Sequence, residues 1–222
     1  MKKAIGKKQK KQYDRFMSIS ELKEILEYFK RTKQYKYYLL FLTQSSLSLR
    51  ISETVAIQVK DIKFKPKNTT IQIRLAKTDR IIIKKVPEKL AILWQEYIIK
   101  YKEHIINRDY YLFYSFNPRC SKGHISKKMG WLKIREAVKN IWGSNYDTYQ
   151  DVKNNKYRIG THSLRRLSIT RLLKISKNIF FVQDWVGHSD VKITQKYLNY
   201  SDLKDNQELY INDLFKELQA IP

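Results

Sequence analysis

The chain is short of cysteine, of acidic side chains and of long apolar runs, and each shortage closes a class of function. Its single cysteine, Cys120, has no partner for an internal disulfide and cannot build a thiolate zinc site. A reducing, cytoplasmic location is the expectation. No apolar stretch approaches the roughly 20 residues a membrane helix needs; the longest candidate, Tyr37–Leu42, reads as a short core segment. The N-terminus, MKKAIGKKQKKQ, is basic but lacks the apolar region of a signal peptide. Acid is scarce: 21 Asp and Glu stand against 45 Lys and Arg, for a net charge of +24. A codon bias that enriches Lys, Ile, Asn and Tyr would raise Glu as well, so it does not explain the imbalance. A pI near 9.9 favours a polyanionic partner, nucleic acid foremost. An anionic membrane surface is disfavoured, because no strongly amphipathic basic helix stands out.

What is present is enough for a fold. The 222 residues are 42% hydrophobic, with 16 Tyr, 9 Phe and 4 Trp, which suits one large domain or two small ones with a real core. Residues 1–17 form a basic arm of the kind that contacts nucleic-acid backbone, with six lysines and no acid in the first twelve positions. Residues 18–222 are expected to be one domain. Ser18 and Glu21 fit a capping box, and Ile19, Leu22, Ile25, Leu26 and Phe29 keep helical spacing. Tyr37–Ser46 and Ile51–Val59 read as two further helices. The period then changes: Thr69–Ala76 and Arg80–Val86 read as strands joined by a turn at Lys77-Thr-Asp. Lys89–Tyr101 and Ser126–Trp142 are helical, and 143–160 reads as an exposed excursion. The result is a mostly α fold with a small antiparallel β-sheet.

The last third carries the chemistry. Thr161 is a plausible N-cap, which sets His162 and Arg165 on one face of a helix. Val182, Trp185 and Val186 form a short helix that Gly187 ends. His188 follows in a loop, Ser189 or Asp190 caps the next helix, and Val191, Thr194, Tyr197 and Leu198 share a face on it. Each residue alone has an ordinary structural use. Together they supply a nucleophile, a proton manager and cations for an anionic transition state, the needs of phosphodiester cleavage.

The elements H-x-L-R, V-G-H and T-Q-K-Y, with nine residues from His188 to Tyr197, resemble the catalytic box of the tyrosine recombinases, the phage-integrase family. The resemblance runs from roughly Ser18 to Ser201. Upstream, Leu49-Arg50-Ile51-Ser52-Glu53 matches the family's L-R-I-S-E pattern, and Lys77 occupies the place of its β-turn lysine. Three positions depart from it: no glycine precedes Arg50, Arg166 stands where a histidine is common, and the Lys77 turn lacks glycine. All three are support positions.

The resemblance implies a site-specific recombinase or integrase acting on double-stranded DNA, with neither cofactor nor metal. Its catalytic residues would be Arg50, Lys77, His162, Arg165, His188 and Tyr197. Tyr197 would attack the scissile phosphate to give a 3′-phosphotyrosyl bond, with Arg50 and Arg165 clamping the non-bridging oxygens and His188 donating to them. Lys77 would protonate the departing 5′-oxygen and His162 would act as base, since a phenol ionises only near pH ~10. Glu53 either orients Arg50 or is an ordinary surface glutamate. The family works as a tetramer on DNA, and residues 203–218 are expected to be a helix that docks on a neighbouring subunit or packs on its own domain. The helical DNA-clamping domain usual in the family is expected to be absent. Two other readings carry the same residues: a type IB topoisomerase, and a recombinase-derived protein that binds DNA without full activity.

Overall fold

Ser18 opens the first helix as its sequence predicts. In a computed structural model of the chain, the Ser18 hydroxyl accepts the Glu21 N–H at 3.1 Å and the Glu21 carboxylate accepts the Ser18 N–H at 2.7 Å. The structure describes residues 17–107, 109–117, 123–144, 146, 149–150 and 156–197. The basic arm before Met17, Cys120 and the expected helix at 203–218 lie outside them. Contacts divide the chain into two compact units, Met1–Leu167 and Ser168–Pro222.

In the first unit, α1 (Ile19–Arg31) packs on α2 (Tyr35–Ser46) and on α6 (Lys127–Trp142). The helix α2 begins two residues before the expected start, because Tyr35 and Lys36 fill its first turn without entering the core. The helix α3 (Ile51–Val55) is shorter than expected. Its continuation leaves the helix because residues 57–59 bond to a distant segment: Leu112 N–H donates to the Ile57 carbonyl at 2.9 Å, and Val59 N–H to the Tyr110 carbonyl at 2.9 Å. Two more helices, α4 (Glu88–Lys100) and α5 (Lys102–Ile106), also lie in this part. Phe29 and Phe41 meet with ring centroids 5.3 Å apart, and both are fully buried. Fully buried Trp94 donates its indole N–H to Thr43 Oγ1 at 2.9 Å, which satisfies the one polar atom of that side chain.

The sheet has three antiparallel strands, β1 (Ile62–Lys63), β2 (Thr70–Arg74) and β3 (Ile81–Lys85), in the order β1-β2-β3. Ile71 pairs with Ile62 and Lys84, and Ile73 with Ile82. Alternation sorts the strand: Ile71 and Ile73 are buried, Gln72 and Arg74 exposed. The two-residue strand β1 was not expected, being too short to show a period. Within the expected excursion, β4 (Tyr149–Gln150) pairs with β5 (Lys156–Tyr157).

The helix α7 (Thr161–Ser176) runs across the division between the units. In the second unit Ile169 and Leu173 of α7 form a core with Val182 and Val186 of α8 (Ile179–Val186). Asn178 caps α8 by accepting the Phe181 N–H at 2.9 Å. Gly187 ends it in the left-handed conformation, φ 66° and ψ 41°, where a Cβ would be strained. The last described helix is α9 (Val191–Gln195).

Candidate active site

Arg50 is the residue from which α3 starts, and Glu53 sits one turn on. The spacing lets the Glu53 carboxylate reach back twice, accepting the Arg50 N–H at 2.8 Å and Arg50 Nη1 at 2.7 Å. Glu53 is no surface glutamate: its side chain is fully buried, while that of Arg50 stays 23% exposed. The second carboxylate oxygen also faces Arg165 Nη1, at 3.5 Å. Arg165 Nη1 donates as well to the Ser48 carbonyl at 2.6 Å. One buried anion therefore holds two guanidinium groups, which come from sequence positions 112 residues apart in the Glu53–Arg165 case. The arrangement offsets like-charge repulsion and fixes both guanidinium groups, with Arg50 the more exposed of the two.

The surroundings fix both arginine-bearing segments. A Cβ on Gly130 of α6 would lie 3.0 Å from Ile51 Cδ1, so α6 passes close against the residue after Arg50. Further along α6, Arg135 Nη1 donates to the Ile159 carbonyl at 3.2 Å, just ahead of α7. Burial, and then the charge of Arg158, push the Arg135 pKa down. Gln44 Nε2 donates to the Thr161 carbonyl at 3.0 Å. Thr161 is the first helical residue rather than the cap; Gly160 precedes it and donates its N–H to the Ser163 hydroxyl at 3.1 Å. His162 is exposed and Arg165 buried, so the two differ in access although they are three residues apart. Among the described residues, the His162 imidazole makes no hydrogen bond or ion pair.

Lys77 stands exposed in the turn between β2 and β3, and its ammonium too has no bonded partner among the described residues. The turn closes with the Asp79 N–H on the Leu75 carbonyl at 2.9 Å and the Leu75 N–H on the Arg80 carbonyl at 2.8 Å. It manages without glycine because Asp79 adopts φ 56°, a conformation aspartate tolerates. The same substitution occurs before Arg50, where Ser48 holds φ 54°.

In the second unit, buried His188 places Nδ1 2.9 Å from Thr194 Oγ1. Gln183 Nε2 donates to the His188 carbonyl at 3.2 Å. Asp190 caps α9 by accepting the Lys192 N–H at 2.8 Å. Tyr197 lies in the turn after α9, not on the helix itself, because α9 ends at Gln195. Its ring packs on the Val182 and Val186 core and stacks with His188, centroids 6.0 Å apart at 21°. Thr194 and Ser48 were not singled out from sequence as partners of catalytic candidates; the hydroxyl one turn before Tyr197 was the only signal for the first, and nothing local marks the second. Among the described residues, no three His, Cys, Asp or Glu lie together as metal ligands, and no helix is long and apolar enough to cross a membrane.

The model of the phage integrase family matches residues 15–204, and the chain belongs to that family. A tyrosine recombinase of Pseudothermotoga lettingae is 29% identical over 205 residues, 91% of this chain and 61% of that protein. A probable integrase/recombinase of Bacillus subtilis is 26% identical over 185 residues, 83% of this chain and 88% of that one. The fold is that of the XerH site-specific recombinase bound to its palindromic difH substrate, with a TM-score of 0.66 at 18% identity, covering 88% of this chain and 52% of that one. The chain thus spans about three fifths of the first relative and half of the solved recombinase.

Proposed function

We propose that this protein is a site-specific DNA recombinase or integrase that cuts and rejoins double-stranded DNA through a 3′-phosphotyrosyl intermediate. The observation that carries the reading is the pair Arg50 and Arg165 held on the buried Glu53 carboxylate, an anion receptor assembled in advance. Family membership supports the choice of a DNA phosphodiester as the anion, as does the net charge of +24.

In the reaction, Arg50 and Arg165 take the non-bridging oxygens of the scissile phosphate. Tyr197 Oη forms the new bond to phosphorus and its proton passes to His162. The bond from phosphorus to the 5′-oxygen breaks, and Lys77 protonates that oxygen to release a 5′-hydroxyl. His188, fixed by Thr194, donates to the phosphate. Covalent capture preserves the phosphodiester's energy, so a second 5′-hydroxyl displaces the tyrosine without a nucleotide cofactor. The arginines supply the charge stabilisation a metal would otherwise provide. The assembly on DNA is a homotetramer, following the family, and the location is the cytoplasm.

A pool of nicked duplexes of randomised sequence, in which the short fragment bearing the released 5′-hydroxyl diffuses away, tests the reading in the presence of EDTA. A protein–DNA adduct stable to denaturant is expected, and sequencing the trapped DNA gives the site. Adducts that form only when a divalent metal is restored would overturn the metal-free mechanism, and their absence with every sequence would overturn the cleavage.

A further inference from the structure

A cavity of about 410 Å³ opens between the start of α2 and the start of α6, bounded by Lys36, Tyr37, Phe116, Ile125, Ser126 and Met129. That size falls in the ~300–1,000 Å³ range of small-molecule sites. None of Arg50, Lys77, His162 and Arg165 lines it, and the described lining contains no carboxylate.

The absence of acid matters because Lys36 is half-buried there. Its ammonium donates to the Tyr114 carbonyl at 3.1 Å and lies over two rings, 4.4 Å from the centroid of Tyr114 and 5.0 Å from that of Phe116. It has no ion-pair partner among the described residues. A cation withdrawn from water without a counter-charge is penalised, and burial lowers the Lys36 pKa to about 8. An anion in the cavity would relieve that penalty.

The opposite wall adds to the anion preference. The 16-residue helix α6 begins there, with Ser126 and Met129 on the lining, and exposed Lys127 and Lys128 of its first turn lie outside the lining but add positive charge beside it. Beside Lys36 stands an aromatic surface, Phe116, 58% exposed. Ammonium, helix start and open ring match the two halves of a nucleotide, a phosphate and a flat base.

We propose that this cavity is a nucleotide-binding site, in which Lys36 and the first turn of α6 take the phosphate and Phe116 stacks on the base. The nucleotide is either an unpaired residue of a DNA strand or a free mononucleotide; the chemistry of recognition is the same. The site stands whether or not Tyr197 cleaves DNA, since adduct formation is read in a separate assay.

Binding to the full chain is measured by calorimetry with thymidine 5′-monophosphate, thymidine and inorganic phosphate. Anisotropy compares two labelled duplexes of one sequence, fully paired and carrying one bulged thymidine. The monophosphate should bind saturably and at least tenfold more tightly than thymidine if the source is a free nucleotide. The bulged duplex should be preferred about tenfold if the source is DNA. Phe116→Ala, which removes a largely exposed ring that meets buried Tyr114 edge-on at 5.0 Å, and Lys36→Gln should each remove whichever preference is found. No saturable monophosphate binding together with equal affinity for the two duplexes would overturn the proposal. So would wild-type binding by both variants.

Discussion

Arg165 Nη1 donates to the carbonyl oxygen of Ser48 at 2.6 Å, although the two residues are 117 positions apart. The acceptor sits on a serine at φ 54°, in the left-handed region. The bond uses the Ser48 backbone, so the side chain can change while the acceptor stays.

Ser48→Gly should therefore keep the Arg165 contact and gain about 0.5 kcal/mol, the relief of left-handed strain less the added freedom of the unfolded chain. Ser48→Val places a β-branched side chain at the same φ in a buried position and should lose about 2 kcal/mol or more. Urea denaturation midpoints of the three proteins check the ordering. Equal midpoints would mean that Ser48 is not strained.

Glu53→Ala should destabilise the fold by about 3–5 kcal/mol, because it removes the buried carboxylate that faces both Arg50 and Arg165, the latter with a side chain 4% exposed. Glu53→Gln keeps the shape and should fold. It should still slow single-turnover cleavage about 100-fold by loosening Arg50. A Gln variant that cleaves at the wild-type rate would separate Glu53 from the chemistry.

Thr194→Val removes the hydroxyl 2.9 Å from His188 Nδ1 at nearly constant volume. The expected cost is about 1 kcal/mol in stability and at least tenfold in cleavage rate, with DNA binding unchanged. The rate is read by rapid-quench assay and the binding by anisotropy. Thr194→Ser should restore most of the rate, which a purely packing role for the threonine would not explain.

Lys36 gives a pH prediction. Its pKa falls from 10.5 to about 8 on folding, through burial. Below about pH 8 both folded and unfolded chains carry its proton, and the folded state bears the full penalty. Between about 8 and 10.5 the unfolded chain holds the proton and the folded one does not, so this group makes stability rise with pH. Lys36→Met should accordingly stabilise the protein at pH 7 by about 1 kcal/mol, discounted for the part of the side chain that stays in water. The gain should shrink by pH 9.5. Burial pushes the Tyr97 phenol up, so at higher pH its ionisation in the unfolded chain would confuse the comparison. A constant difference across the range would contradict the assignment.

Local patterns in the sequence revealed the elements whose signals are local. The Ser18–Glu21 capping box, the Ile71 and Ile73 alternation, the turn at Lys77 and the Gly187 stop all appear where patterning placed them. What was illegible depends on distant partners. Ile51–Val59 ends early as a helix because Tyr110 and Leu112 claim the backbone of Ile57 and Val59. Glu53 looked equally like surface or support until Arg165 reached it from α7. Three-residue spacing put His162 and Arg165 together on α7, but only tertiary packing decides that one is exposed and the other buried. Lys36 gave no sequence signal, since its surroundings are set by Tyr114 and Phe116, far along the chain.

The most direct measurement is the covalent adduct itself. Wild-type protein and Tyr197→Phe are incubated with the nicked duplex recovered from the randomised pool, denatured, digested with protease and analysed by mass spectrometry. A 3′-phosphonucleotide attached to the peptide containing Tyr197, absent from the Phe variant while its DNA affinity is retained, is the predicted result. An adduct that persists in Tyr197→Phe, or one carried by another residue, would contradict it.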